Sequence, residues 1–193
     1  MSLIHVYDAS IPPTTAPHGF KGAAGYLGGR TPHVWTLDEW LVATDDGNLR
    51  ALGIWTGTRE AYPVEHANLA ASAAIRLGWK AHANPRRYIA VDEEDTLASA
   101  WIEAFARQLK IRGFDCLSYR SLSAILANPT PENADNWTAL WNSEPTMHDT
   151  PREKGHQYVS GISCLNTTID RSVFTEEAYA KFGHGKRRRV NAV

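Results

Sequence analysis

The sequence predicts an α/β fold: a small, irregular (β/α)8 barrel of the TIM type, in one domain. Three observations point there. Short apolar runs alternate with helix-period segments along most of the chain, the pattern of parallel strands covered by helices. Eight such runs can be placed in 193 residues, about 24 residues per unit, so several helices must be short or missing in a fold that usually takes ~250. Each run also closes on a carboxylate, an amide or an aromatic ring, and a closed barrel gathers its strand ends at one face.

The first strand is Leu3 to Tyr7, ending in Asp8-Ala9-Ser10 before the prolines of IPPTTAP break regular structure. Phe20 to Leu27 offers the second, rich in small residues, with Tyr26 at its tip and Gly28-Gly29 after it. Thr36 followed three residues later by Glu39 is a capping-box spacing, so a helix runs to about Ala43. Arg50 to Trp55 is the third strand. From Pro63 to Trp79 the alanines at 67, 70, 71 and 74 form one face of a helix.

The fourth strand is the stretch RYIAVDEED, residues 87–95. Four apolar residues, too few for a helix, run into four acids. Alternation puts Asp92 and Glu94 on one side and Glu93 on the other, so two carboxylates converge. The competing structural reading is a solvated turn in which Asp95 or Thr96 caps the next helix. That helix, Thr96 to Ile111, carries Leu97, Trp101, Ala104, Phe105 and Leu109 at three- and four-residue steps and closes on Gly113. Phe114 to Tyr119 makes the fifth strand and SLSAILANP a short helix. Trp137 to Trp141 supplies the sixth strand, His156-Gln157-Tyr158 lies on the seventh, Thr167 to Asp170 on the eighth, and a last helix spans Phe174 to Phe182. The barrel is expected over 1–183, with residues 184–193 a basic, solvated tail.

A net charge of −1 argues against a nucleic-acid surface. The opening residues turn polar too soon for a signal peptide, and no run approaches the ~20 apolar residues of a membrane span. The expectation is therefore a protein made in the cytoplasm without a signal peptide, with no membrane partner. Cys116 and Cys164 stand in unrelated contexts without metal or redox spacing. Seven tryptophans and seven tyrosines suit a carbohydrate surface, although core packing accounts for most aromatic side chains.

Four pieces of sequence then fall in one order: Asp8-x-Ser10, the Asp92-x-Glu94 that ends YIAVDEE, Gln157-Tyr158, and Ile169-Asp170-x-Ser172. Together they resemble glycoside hydrolase family 25, the lysozyme-type muramidases, and the related glycoside-hydrolase-like domain of unknown function found in bacteria and phages. The resemblance spans nearly the whole chain. It implies cleavage of the bond between N-acetylmuramic acid and N-acetylglucosamine in the bacterial cell-wall glycan, with retention and no metal or organic cofactor. Glu94 is the implied general acid, and Asp92 the nucleophile or the group that orients the substrate's N-acetyl arm. Asp8 and Asp170 would shape the pocket, and Tyr26, Trp55, Tyr119, Trp141 and Gln157 would hold sugar. Action on the wall after release, as a phage lysin or with virion proteins as partners, fits the same resemblance. IPPTTAP departs from the lysozymes, and FKGAAGYLGG is closer to the uncharacterised relatives. Two other classes stay open: a glycan-binding or phage structural module without turnover, and a metal-dependent phosphodiesterase using the acids at 8, 92, 94 and 170 as oxygen ligands.

Overall fold

The computed structural model describes residues 2–58, 62–92 and 97–184. Its strands are β1 (Leu3–Asp8), β2 (Gly22–Gly29), β3 (Arg50–Thr56), β4 (Arg87–Asp92), β5 (Phe114–Ser121), β6 (Ala134–Ala139), β7 (Glu153–Cys164) and β8 (Thr167–Thr175), with a two-residue β9 (Gly183–His184). The first eight form a ring in the order β2-β1-β8-β7-β6-β5-β4-β3, and β3 pairs back onto β2 to close it. β9 lies against the beginning of β3, His184 opposite Arg50. The helices are α1 (Leu37–Ala43), α2 (Pro63–Arg76), α3 (Ser99–Ile111), α4 (Leu122–Ala127) and α5 (Glu176–Ala180). The fold is thus the expected small barrel, with no helix between β1 and β2, between β6 and β7, or between β7 and β8.

One strand departs from the all-parallel expectation. β8 runs antiparallel to both β7 and β1. The physical reason is the connection: only Leu165 and Asn166 separate β7 from β8, and a two-residue link can make a hairpin but not a crossover. The expected helix over 174–182 also shrinks to Glu176–Ala180. Phe174 belongs to β8 and points into the barrel; its spacing with Phe182 imitates a helical face because both rings fill the barrel interior, 5.0 Å apart. The sixth strand stops at Ala139, so Trp141 lies just past it. α3 starts with Ala98 as its N-cap; Asp95 and Thr96, the caps expected from the sequence, lie outside the described residues. The capping box at Thr36 and Glu39 is present as the spacing predicts.

Strand alternation divides the apolar residues into two cores. Val6, Ala24, Leu52, Ala90, Leu117, Trp137 and Phe174 meet inside the ring. Their neighbours Tyr7, Ala23, Ala51, Ile89, Val91 and Cys116 face outward and pack with Ala67, Ala70, Ala74, Ile102, Phe105 and Leu109 of α2 and α3. Alanines at 24 and 90 make room for large rings. Phe182, Phe174, Trp137 and Tyr119 stack into a column with centroids 5.0, 5.4 and 4.7 Å apart, so the barrel is filled from its floor to the base of the site. At the floor, Tyr88 donates to the Asp135 carboxylate while Lys181 pairs with Asp115 at 2.9 Å over the Tyr88 ring. Among the described residues no helix is long and apolar enough to cross a membrane.

Candidate active site

A cavity of about 230 Å³ opens at the C-terminal ends of the parallel strands. All eight strands contribute to it: Asp8 from β1, Tyr26 from β2, Ile54 from β3, Asp92 from β4, Tyr119 from β5, Trp137 from β6, Gln157 from β7 and Asp170 from β8. The reversal of β8 does not remove Asp170 from this group. It lies within its strand rather than at its C-terminal end, and the antiparallel register sets it opposite Asp8.

Gln157, 1% exposed, organises the polar contacts. Its amide nitrogen donates to Asp170 Oδ2 at 2.9 Å and to both Asp8 oxygens at 3.3 and 3.4 Å. Its amide oxygen accepts from the Tyr119 hydroxyl and, at 2.8 Å, from Trp141 Nε1. Only one orientation of the amide satisfies four partners, since carboxylates accept and the indole N–H can only donate. Asp170 is held from its other oxygen by the Gly161 amide at 2.6 Å. Ser172 donates to Asp8 at 3.4 Å and itself receives the Trp137 indole N–H. On the opposite wall the Tyr26 hydroxyl donates to Asp92 Oδ2 at 3.1 Å.

The electrostatic field is one-signed. Among the described residues three carboxylates line the cavity and no Lys, Arg or His does. Burial first, then the charges of Asp170 and Asp92, push the Asp8 carboxyl well above the usual carboxylate range, against the hydrogen bonds of Gln157 and Ser172. Burial and the same three carboxylates also raise Tyr119, so its hydroxyl keeps its proton and remains a donor. No three His, Cys, Asp or Glu side chains among the described residues converge closely enough to hold a metal ion.

Seven of the residues expected at the site from the sequence are therefore brought together: Asp8, Tyr26, Asp92, Tyr119, Trp141, Gln157 and Asp170. Glu94 lies outside the described residues. Trp55 is not in the group, which corrects the expectation that it stands in the wall. It sits one residue out of phase with Ile54, buried in the outer core, where its indole donates to His66 Nδ1 of α2 at 3.1 Å. Tyr158 likewise faces outward, its hydroxyl 3.3 Å from His5. Trp137, absent from the expected set, forms part of the lining. Register would have found it, because it pairs directly with Tyr119.

Solved structures share this architecture. The lysozyme of Streptomyces coelicolor superposes with a TM-score of 0.69 at 17% identity over 94% of this chain and 97% of its own. A family 25 glycosyl hydrolase from Bacillus anthracis gives 0.63 at 15% identity, covering 93% of each chain. The fold is that of the family 25 lysozymes. An uncharacterised protein of B. stearothermophilus matches equally well, with a TM-score of 0.69 at 18% identity over 93% of this chain and 99% of its own. No protein-family profile and no curated protein matches the sequence.

A lysozyme-type barrel is thus the frame, and the cavity's own residues decide what can happen in it. A pocket lined by several carboxylates favours positive charge developing on a bound substrate and disfavours binding an anion. The rings of Tyr26, Tyr119 and Trp141, with the buried Trp137 beneath Tyr119, place apolar surface beside those acids, the combination that suits a pyranose ring.

Proposed function

We propose that the cavity is the active site of a glycosidase that cleaves the N-acetylmuramic acid to N-acetylglucosamine bond of bacterial peptidoglycan. The observation that carries this reading is the set of three buried or half-buried carboxylates, fixed by an amide and two tyrosines, converging on one cavity at the strand ends. Glycoside cleavage passes through an oxocarbenium-like transition state, whose positive charge such a pocket stabilises. The family 25 fold adds a prior from structure alone.

In this mechanism Glu94, two residues beyond Asp92 at the end of β4, protonates the leaving oxygen. Asp92 orients the substrate's N-acetyl group for attack on the anomeric carbon; a carboxylate already accepting from Tyr26 is better suited to hold an N–H than to form a covalent bond itself. Water then opens the intermediate with Glu94 as base, giving retention. Asp8, whose carboxyl burial pushes above the usual carboxylate range, and Asp170 frame the sugar through Gln157.

The test is release of soluble muropeptides with new reducing ends from purified walls. Glu94→Gln and Asp92→Asn, at matched folding, should each lose about 10²- to 10⁴-fold in rate. Parent activity that survives both substitutions would overturn the assignment. No release from walls of several bacteria, with retained glycan binding, would instead make the protein a binding module on the same barrel.

A further inference from the structure

The connection from β6 to β7, residues 140–152, occupies the place where most βα units carry a helix. It covers the outer face of those strands with polar groups instead of an apolar stripe. It also carries Trp141, whose indole N–H donates to the Gln157 side chain of the cavity. Whatever holds the strap in place therefore holds part of the site.

The holding group is His156, fully buried and adjacent to Gln157 on β7 but facing the other way. Its Nδ1 lies 2.5 Å from the Thr146 carbonyl, and its Nε2 lies 3.2 Å from His148 Nε2 and 3.2 Å from Ser143 Oγ. A carbonyl only accepts, so Nδ1 bears the proton. The Ser143 hydroxyl proton is directed to the Leu140 carbonyl at 2.6 Å. His156 Nε2 is left as an acceptor, and His148 Nε2–H is its donor. Two neutral rings satisfy this set completely. The backbone follows: Leu140 N and Ser143 N donate to the Gln157 and Tyr158 carbonyls at 3.1 and 3.2 Å.

We propose that His148 and His156 form a proton-sensitive anchor for the strap, making His156 a positioning residue for Trp141 and Gln157 and so for the grip on substrate. The inference rests on the glycosidase reading only for what is gripped; the anchor itself stands on geometry.

The sign follows from the surroundings. Next to His156 are His148 from the strap, Tyr158 of β7 with His5 of β1 behind it, and the uncharged Thr138 opposite it on β6; Glu153 lies near the strap, taking the Thr138 hydroxyl and the His148 backbone amide, with Asp149 close to it. Burial above all lowers the His156 pKa, joined by the His148 charge and opposed by the hydrogen bonds with the Thr146 and Leu140 backbone. Its neutral form is the one the fold prefers, and the stability it confers is present above the ordinary imidazole range and lost as pH falls. A first proton must be buried; a second sets two cations 3.2 Å apart. Glu153 works in the opposite direction. Burial pushes its carboxyl up to about 7 despite the Thr138 hydroxyl and the His148 backbone amide, so its ionisation weighs against the strap as pH rises from the ordinary carboxylate range through 7.

The experiment is amide hydrogen exchange of Leu140 and Ser143, corrected for the intrinsic rate and referred to Val91 of β4, at pH 7 and pH 5, in the parent and in His148→Gln. Glutamine keeps an N–H donor for His156 and removes the second titrating ring. In the parent, opening of the two strap amides should increase by up to about a hundredfold per pH unit where both rings take up protons; in H148Q, with His156 alone left to titrate, the increase should be no more than about tenfold per pH unit. KM for soluble glycan fragments, measured alongside, should rise in acid for the parent and less for the variant. Equal strap protection at pH 5 and pH 7 in the parent, or a parent-like response in H148Q, overturns the anchor. A protein that cleaves no wall glycan but passes the exchange test keeps the anchor and loses the glycosidase reading; an active enzyme with an unresponsive strap does the reverse.

Discussion

Asp8 and Asp170 lie opposite each other in the β1–β8 ladder, and one amide nitrogen, that of Gln157, reaches both carboxylates. Two acids placed directly across a ladder repel each other unless one keeps its proton or a donor stands between them. Here the donor is the Gln157 amide, and burial with the Asp170 charge raises the Asp8 pKa.

The first prediction concerns the donor. Gln157→Glu replaces the bridging N–H₂ by a third buried oxygen acid, leaving Asp8 and Asp170 to face it. The variant should lose about 3 kcal/mol of stability at pH 7, and recover most of it near pH 4 as the carboxyls take up protons. Urea unfolding at the two pH values reads this directly.

Asp8 itself yields the second. Its carboxyl titrates well above the unfolded value, so its contribution to stability is fully present below about pH 4 and is lost as pH rises toward the folded value. Asp8→Asn keeps an acceptor for Gln157 and cannot ionise. It should be more stable than the parent at pH 7, with the difference vanishing below about pH 4. Thermal unfolding from pH 3 to pH 8 is the check, and a flat difference across that range would refute the assignment.

Tyr26→Phe retains the ring and removes only the hydroxyl that donates to Asp92. Stability should fall by no more than about 1 kcal/mol. The rate of muropeptide release should drop by about tenfold with KM nearly unchanged, because the lost contact orients a reacting group rather than the sugar as a whole.

The aromatic column gives a fourth. Phe174→Ala opens a void beneath Trp137, and Tyr119 stands on Trp137. A loss of about 3–5 kcal/mol is expected, together with weaker sugar binding, since Gln157 loses a firmly placed Tyr119. Phe105→Ala, in the outer core, should cost as much stability while leaving binding in the surviving folded protein unchanged.

Much of this arrangement was legible in the residues. β1, β3, β4 and β5 are short apolar runs, and α2 and α3 carry helix-period faces, so length and periodicity located them. β7 and β8 were harder to read. Their hairpin extends past the barrel, both faces of its tip meet water, and KGHQYVSGISC consequently lacks the apolar run that marks a buried strand. With the strand ends misplaced, the two-residue link was invisible and so was the reversed direction of β8. At the site, the carboxylates were readable because they follow apolar strands. Trp55 was misread because a tip position says which end of a strand a residue occupies and nothing about which side; one step of register separates the cavity from the helix layer.

The seam between β1 and β8 joins Leu3 to Thr175, nearly the two extremes of the described chain. Consecutive strands elsewhere in the ring can pair soon after they leave the ribosome, but this pairing must wait until the final hairpin exists. Until then β1 presents an open edge and the aromatic column lacks Phe174. Closing so long a loop is slow, so the seam is where the folding barrier should reside. Substitutions in β8 would then slow refolding, while equally destabilising ones in α2 would mainly hasten unfolding.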